Sequence, residues 1–201
     1  MSAVAARTRA RLLSSAQELV EERGYGAASV IAIAERAGVA SGTLYRHWPS
    51  KGELFAELFR LVCDRELRAM EAAARGTAGG SNASHVQSIQ AVLLTFAERA
   101  LRNPRLAWAL IAEPVAPLVD AERIAYRREY ARRLAEGLRA AVAAGEIPEQ
   151  DVELTAAPLV GGVGEALLGP LSPVAGTGPP AREIIEALRT FVVRAVGASH
   201  E

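Results

Sequence analysis

The chain has 201 residues, half of them apolar and 23% charged, which allows one compact domain or two small ones and excludes a disordered chain. Its 23 Lys+Arg balance 23 Asp+Glu, which excludes a uniformly basic nucleic-acid coat protein and an acidic solvating chain. One cysteine, Cys63, excludes an internal disulfide framework and a multi-cysteine zinc site.

The apolar pattern is helical nearly everywhere, with no alternating strand and no internal repeat. Leu12, Leu13, Ala16, Leu19 and Val20 form one stripe of an amphipathic helix, and Gly24 is a stop signal at its end. Ser29 opens a short helix over 30–37 that Gly38 closes. Ser41 opens and caps another, running to about Trp48, where Pro49 stops it. Ser50 and Glu53 make a capping box for a helix that continues to about Arg75. The Gly-rich run 76–84 reads as a flexible loop. Further helices are expected over about 85–102, 106–112, 120–144, 150–168 and 182–196. Pro114 and Pro117 bracket a turn, and 169–180 is a second Gly- and Pro-rich connection, read as mobile. The economical reading is an all-α fold of about nine helices.

Residues 1–51 hold seven basic against four acidic side chains, and the remainder holds sixteen against nineteen. Lys51 is the only lysine, and no Gly-Lys pair exists, so a Walker A phosphate loop is absent. Gly161-Gly162-Val163-Gly164 lies in a helical stretch with no strand before it, so it reads as a close-packing surface, with Pro158 expected to kink its helix. The most membrane-like stretch, 154–171, has two prolines, four glycines and Glu165, and no membrane partner is expected. The first eleven residues have no apolar segment, so no secretory signal is expected and the cytoplasm is the expected compartment.

The segment 8–48 meets the demands of a helix-turn-helix together. Two helices that cross closely need a small residue at the contact, and Ala34 is there. The turn needs positive φ, and Gly38 permits it. The second helix needs an apolar anchor, and Leu44 supplies it, with Ile33, Ala37 and Val39 between. The face opposite Leu44 is then Ser41, Gly42, Thr43, Tyr45, Arg46 and His47: short or hydrogen-bonding groups fit to enter a major groove. Lys51, at the start of the next helix, is placed to meet a phosphate together with that helix's free N–H groups. Trp48 reads as core. Arg7, Arg9 and Arg11 suit either a tail along DNA or a disordered end.

Gly42-Thr43-Leu44-Tyr45-Arg46-His47-Trp48, followed by Ser50-Lys51, resembles the DNA-binding domain of the tetracycline-repressor (TetR) family of bacterial transcription regulators. The resemblance covers about residues 8–58. Trp48 departs slightly, where the family more often has phenylalanine or tyrosine; beyond that segment the resemblance is only in being helical. It implies an N-terminal DNA-binding domain, taken as 1–50, and a helical effector-binding and dimerisation domain, 51–201. It also implies a homodimer on a pseudo-palindromic duplex operator, released by a small-molecule effector. Carried onto this chain, Thr43 and Arg46 become base-edge candidates and Ser41 a base or phosphate contact. Tyr45, His47, Lys51 and Ser29 become phosphate contacts, and Gly42 is a further DNA-binding candidate.

The last helix shows a wide apolar face with Ile184, Ile185, Leu188, Phe191, Val192 and Ala195. Paired with its neighbour and their symmetry mates, it would form a four-helix interface, so dimerisation through the two C-terminal helices is expected. Effector-binding candidates are Phe59, Val62, Phe96, Trp108, Ile111, Tyr126, Tyr130 and Glu165, with Glu113, Arg127 and Arg128 as further polar anchors. Tyr126 and Tyr130, four apart, are the foremost pair. Cys63 reads as a small buried hydrophobe. No cofactor, metal or catalytic residue is expected: the histidines 47, 85 and 200 lack ligand spacing, and no Ser/His/Asp constellation can be placed. The alternatives are an activator, a DNA-binding regulator without a small molecule, and a helical enzyme.

Overall fold

The computed structural model describes residues 3–78, 84–174 and 178–198. Nine α-helices and no strand occur among them: α1 (Ala3–Ala27), α2 (Val30–Arg36), α3 (Ser41–Tyr45), α4 (Lys51–Ala78), α5 (His85–Arg102), α6 (Pro104–Ile111), α7 (Pro117–Ala143), α8 (Val152–Leu171) and α9 (Ala181–Ala195). The fold is all-α, as expected. Several ends differ. Residues 76–78 and 169–171 are helical where loops were expected, and the loop readings for 79–83 and 175–177 lie outside the described residues. Pro117 closes the non-helical connection and also begins α7, because a missing N–H costs nothing in a first helical turn. α8 runs through Pro158 and Pro170.

The chain divides into two compact units, Met1–Val62 with Asn103–Ile124, and Cys63–Arg102 with Ala125–Glu201. The first turns of α4, all of α6 and the start of α7 group with the N-terminal helices.

In the first unit, α1 packs against α2 and α6, and α2 against α3. Leu12, Ala16, Ile33, Ala34, Leu44 and Leu54 are fully buried, so the stripe read from the apolar spacing is the core. Gly24 interrupts α1 at φ 84°, and Gly38 turns the chain between α2 and α3 at φ 64°. Both are left-handed conformations that favour glycine.

In the second unit, α5 packs on α8 and α9. The buried face of α8 is Ala156, Leu159, Val163, Leu167 and Leu171, and that of α9 is Ile184, Leu188 and Val192. α8 is the one helix among the described residues long and apolar enough to cross a membrane; its buried stripe is core to this unit. Glu146 caps the start of α5, accepting the backbone N–H of His85 and of Val86, each at 3.0 Å, and the Ser84 hydroxyl at 2.7 Å. Burial pushes its carboxyl up, but these three donors outweigh burial and hold it below the usual carboxylate range. Cys63 is buried, as read from the sequence.

Candidate nucleic-acid interface

The short helix α3 carries most of the candidate residues. Leu44 is fully buried, and Ser41, Gly42, Tyr45 and Arg46 on the other sides are exposed, with Thr43 and His47 half-buried. Tyr45 is 55% exposed, a large ring left in water. The Arg46 guanidinium donates to Thr43 Oγ1 at 3.0 Å, so the two base-edge candidates form one polar surface. α3 ends at Tyr45, earlier than expected. Arg46 and His47 form its closing turn, and Leu44 O accepts both His47 N–H and Trp48 N–H. Ser41 does not cap α3: the N-cap is Ala40, without a side-chain hydrogen bond, and Ser41 is the first helical residue. Its hydroxyl is thereby on the exposed helix surface.

Ser29 does cap α2, its Oγ accepting the Ala32 N–H at 3.1 Å. Such a cap contributes about 1 kcal/mol. Ser29 is exposed. Ser50 caps α4, accepting the Glu53 N–H at 3.1 Å, as the capping box predicts.

Arg7, Arg9 and Arg11 lie within α1, which begins at Ala3, and two of the three make contacts in the first unit. Arg9 donates to the Glu57 carboxylate and lies over the Trp48 ring, 4.9 Å from its centroid. Glu57 also accepts Trp48 Nε1–H at 2.7 Å, so the turn after α3 is held from both sides. Arg11 donates to the carbonyls of Ala37 and Gly38, covering the end of α2. Trp48 is buried, as expected. Its partners Arg9 and Glu57 were not foreseen, since nothing local in the sequence links positions 9, 48 and 57.

Lys51 is half-buried. Its ammonium lies 4.8 Å from the Tyr25 ring centroid and 5.3 Å from that of Phe55, and donates to Tyr25 O at 3.4 Å. Burial lowers its pKa, with the Glu113 carboxylate acting in the opposite direction. The cation is thus held against the protein at the α4 N-terminus, a position on an edge and not in open water.

The effector candidates fall in different places. Phe59 and Val62 are core of the first unit, where Trp108 and Ile111 are half-buried on α6. In the second unit, Phe96, Tyr126 and Tyr130 form an aromatic row with centroids 6.0 and 6.2 Å apart, and Tyr126 donates to Asp64 at 2.6 Å. Burial, and then the Cys63 thiol, push the Tyr130 hydroxyl well above its ordinary value. Glu165 is exposed on α8. Glu113 accepts the backbone N–H groups of Tyr25 and Gly26. A cavity of about 220 Å³ lies among α4, α5 and α7 in the second unit, and of the eight candidates Tyr130 alone lines it. Arg127 and Arg128 are exposed.

Residues 12–58 match the model of the bacterial regulatory proteins of the tetR family. The chain is 39% identical over 69 residues to the transcriptional activator FasR of Mycolicibacterium smegmatis, covering 34% of this chain and 32% of FasR. It is 31% identical over 102 residues to the transcriptional repressor KstR of Rhodococcus jostii, covering 51% of this chain and 45% of KstR. The chain therefore spans a third to under half of the length of these relatives. The crystal structure of RolR in complex with resorcinol superposes with a TM-score of 0.71 at 18% identity, covering 97% of this chain and 90% of RolR, and so shares the fold. The likeness to the tetR family of bacterial regulatory proteins is thus carried by residues 12–58, and the chain as a whole shares the all-helical fold of the solved structure.

Proposed function

We propose that the chain is a ligand-responsive transcriptional repressor that binds a pseudo-palindromic duplex operator as a homodimer and leaves it when a small molecule binds. The observation that carries this is α3: Leu44 is sunk in the core while Thr43, Tyr45 and Arg46 look outward on the opposite side. A helix presented in this way enters a major groove, where Thr43 and Arg46 meet base edges. Ser41, Tyr45 and His47 meet sugar and phosphate, Gly42 lets the backbone approach, and Ser29 and Lys51 flank the helix at phosphates.

Support for the homodimer is a groove along α8 and α9. Gly162, Ala166, Ala187 and Phe191 line it, and Phe191 is 40% exposed. Small residues on one helix beside an exposed ring on the next suit a self-complementary two-fold contact. A two-fold dimer reads two half-sites of one palindrome. Support for a small-molecule effector is the cavity among α4, α5 and α7. Repression is preferred because occupying an operator is sufficient for it; among the relatives, KstR is a repressor by name and FasR an activator.

Selection of bound sites from random duplex DNA tests the reading. It is expected to yield a two-fold symmetric sequence whose affinity falls steeply with salt. Recovery of no sequence at low ionic strength, or of an asymmetric single half-site, would overturn it.

A further inference from the structure

We propose that the cavity among α4, α5 and α7 takes an uncharged, mainly hydrocarbon small molecule and discriminates against carboxylates and amines of the same shape. This rests on the reading that the chain has a small-molecule effector, and names that effector's chemical class.

The wall is apolar where it is deepest. Leu67 and Met70 of α4, Ile89 of α5 and Leu134 of α7 line the space and are all buried. Its volume is about 220 Å³. An apolar cavity of roughly 150 Å³ already takes up benzene, so one or two fused rings, or a short alkyl chain, fit here.

The ionisable side chains at the wall spend their charge on the protein. Arg133 is paired with Glu71 and, at 2.6 Å, with Glu129. Glu136 is paired with Arg132. His85 stands exposed in the first turn of α5. The hydroxyls are also engaged: Ser88 Oγ meets Thr77 Oγ1 at 2.8 Å and donates to Ser84 O, and the Tyr130 hydroxyl bonds to Cys63. A carboxylate entering this space must lie unpaired against leucine and isoleucine, or compete with Glu71 and Glu129 for Arg133. An amine faces the mirror problem with Glu71 and Glu136. Either way the entering charge gives up water without a partner that is its own, which an uncharged ligand avoids.

The test is titration calorimetry on the full chain near neutral pH with three molecules of one skeleton: 1-naphthalenemethanol, 1-naphthoate and 1-naphthylmethylammonium. The alcohol is expected to saturate one site per chain, with the two ions at least about tenfold weaker. Glu71→Gln releases one partner of Arg133 and is expected to narrow the gap between acid and alcohol at least about threefold. Val92→Phe, which fills the α5 side of the cavity, is expected to weaken the alcohol at least about tenfold. An ion binding as tightly as the alcohol, binding of none of the three, an unchanged acid-to-alcohol ratio in Glu71→Gln, or an unchanged alcohol affinity in Val92→Phe would each overturn the proposal. If the alcohol binds with the expected preference but DNA affinity is the same with and without it, the effector reading fails and the preference stands.

Discussion

The carboxylate of Glu113 accepts the backbone N–H of Tyr25 at 2.9 Å, across 88 residues of sequence. Its other oxygen accepts the N–H of Gly26 at 3.1 Å. These two donors exist because Gly24 breaks α1, leaving the N–H groups after it without helical partners. The same segment is held twice more: Tyr25 Oη accepts the Ala116 N–H at 3.2 Å, and Lys51 donates to Tyr25 O. Arg123 covers the other side of this junction, donating to the carbonyls of Ala109, Leu110 and Glu113. Within this unit, α6 and the turn after it are therefore fastened to the helices that present α3.

Glu113→Ala is expected to destabilise the chain by about 1–2 kcal/mol, since two backbone donors lose a charged acceptor. Glu113→Gln, which keeps one acceptor, is expected to recover roughly half. Gly24→Ala is expected to cost at least about 1 kcal/mol by a separate route: φ is 84°, and the new Cβ would stand 3.1 Å from a Glu113 oxygen. Urea unfolding checks all three, and an Ala variant as stable as the parent removes Glu113 from this role.

Lys51 and Thr43 are expected to fail differently in DNA binding. Lys51→Ala removes a phosphate partner, so every sequence weakens alike and the slope of log affinity against log salt falls by about 1. Thr43→Ala or Arg46→Ala removes a base-edge group, so the preferred operator changes, with about 1–3 kcal/mol lost at the affected position. The Arg46–Thr43 hydrogen bond couples the two sites, so their effects are expected to be non-additive. Competition binding on a set of single-base operator variants measures both. A Lys51→Ala protein that changes sequence preference and keeps its salt slope would reverse the assignment.

How much of this was legible in the sequence depends on how local the determinant is. Ala34, Gly38 and Leu44 lie within eleven residues, and their spacing alone specifies a helix-turn-helix; the structure buries Ala34 and Leu44 and gives Gly38 its positive φ. Ser29 and Ser50 cap their helices as a local rule predicts, but Ser41 does not, because the helix begins one residue earlier at an alanine N-cap. The Glu113–Tyr25 and Arg9–Glu57 links join distant positions by ordinary charged residues, and no spacing announces them. The aromatic inventory of the middle helices named suitable residue types without their direction. Phe59 turned into the core, and Tyr130 is the one candidate that faces the cavity.

Glu146 predicts a pH dependence. Its folded-state carboxyl is held below its ordinary value, so its contribution is fully present above the unfolded-state pKa and is lost as pH falls through the folded one. The stability difference between the parent and Glu146→Gln is therefore expected to be largest at about pH 7 and to shrink between about pH 5 and pH 3. Urea unfolding of both proteins across that range gives the difference directly. A gap that is constant with pH would mean that the α5 cap works through hydrogen bonding alone, without the carboxylate's charge.

The proposed dimer face makes the sharpest prediction about assembly. Phe191 is half in water on α9, and its ring edge packs on α8 so closely that a Cβ on Gly162 would stand 3.1 Å from Phe191 Cζ. Phe191→Glu places a charge in the middle of that face. A charge there costs little in a lone chain, where the position is partly exposed, and much in an interface, where it would be desolvated against its own symmetry copy. The variant is expected to sediment as a monomer with unchanged helix content, and to bind a two-fold operator no better than a single half-site. Gly162→Leu, which displaces the Phe191 ring, is expected to weaken association in the same direction. A Phe191→Glu chain that stays dimeric at micromolar concentration would place the two-fold axis on another surface and leave the α8–α9 groove without this role.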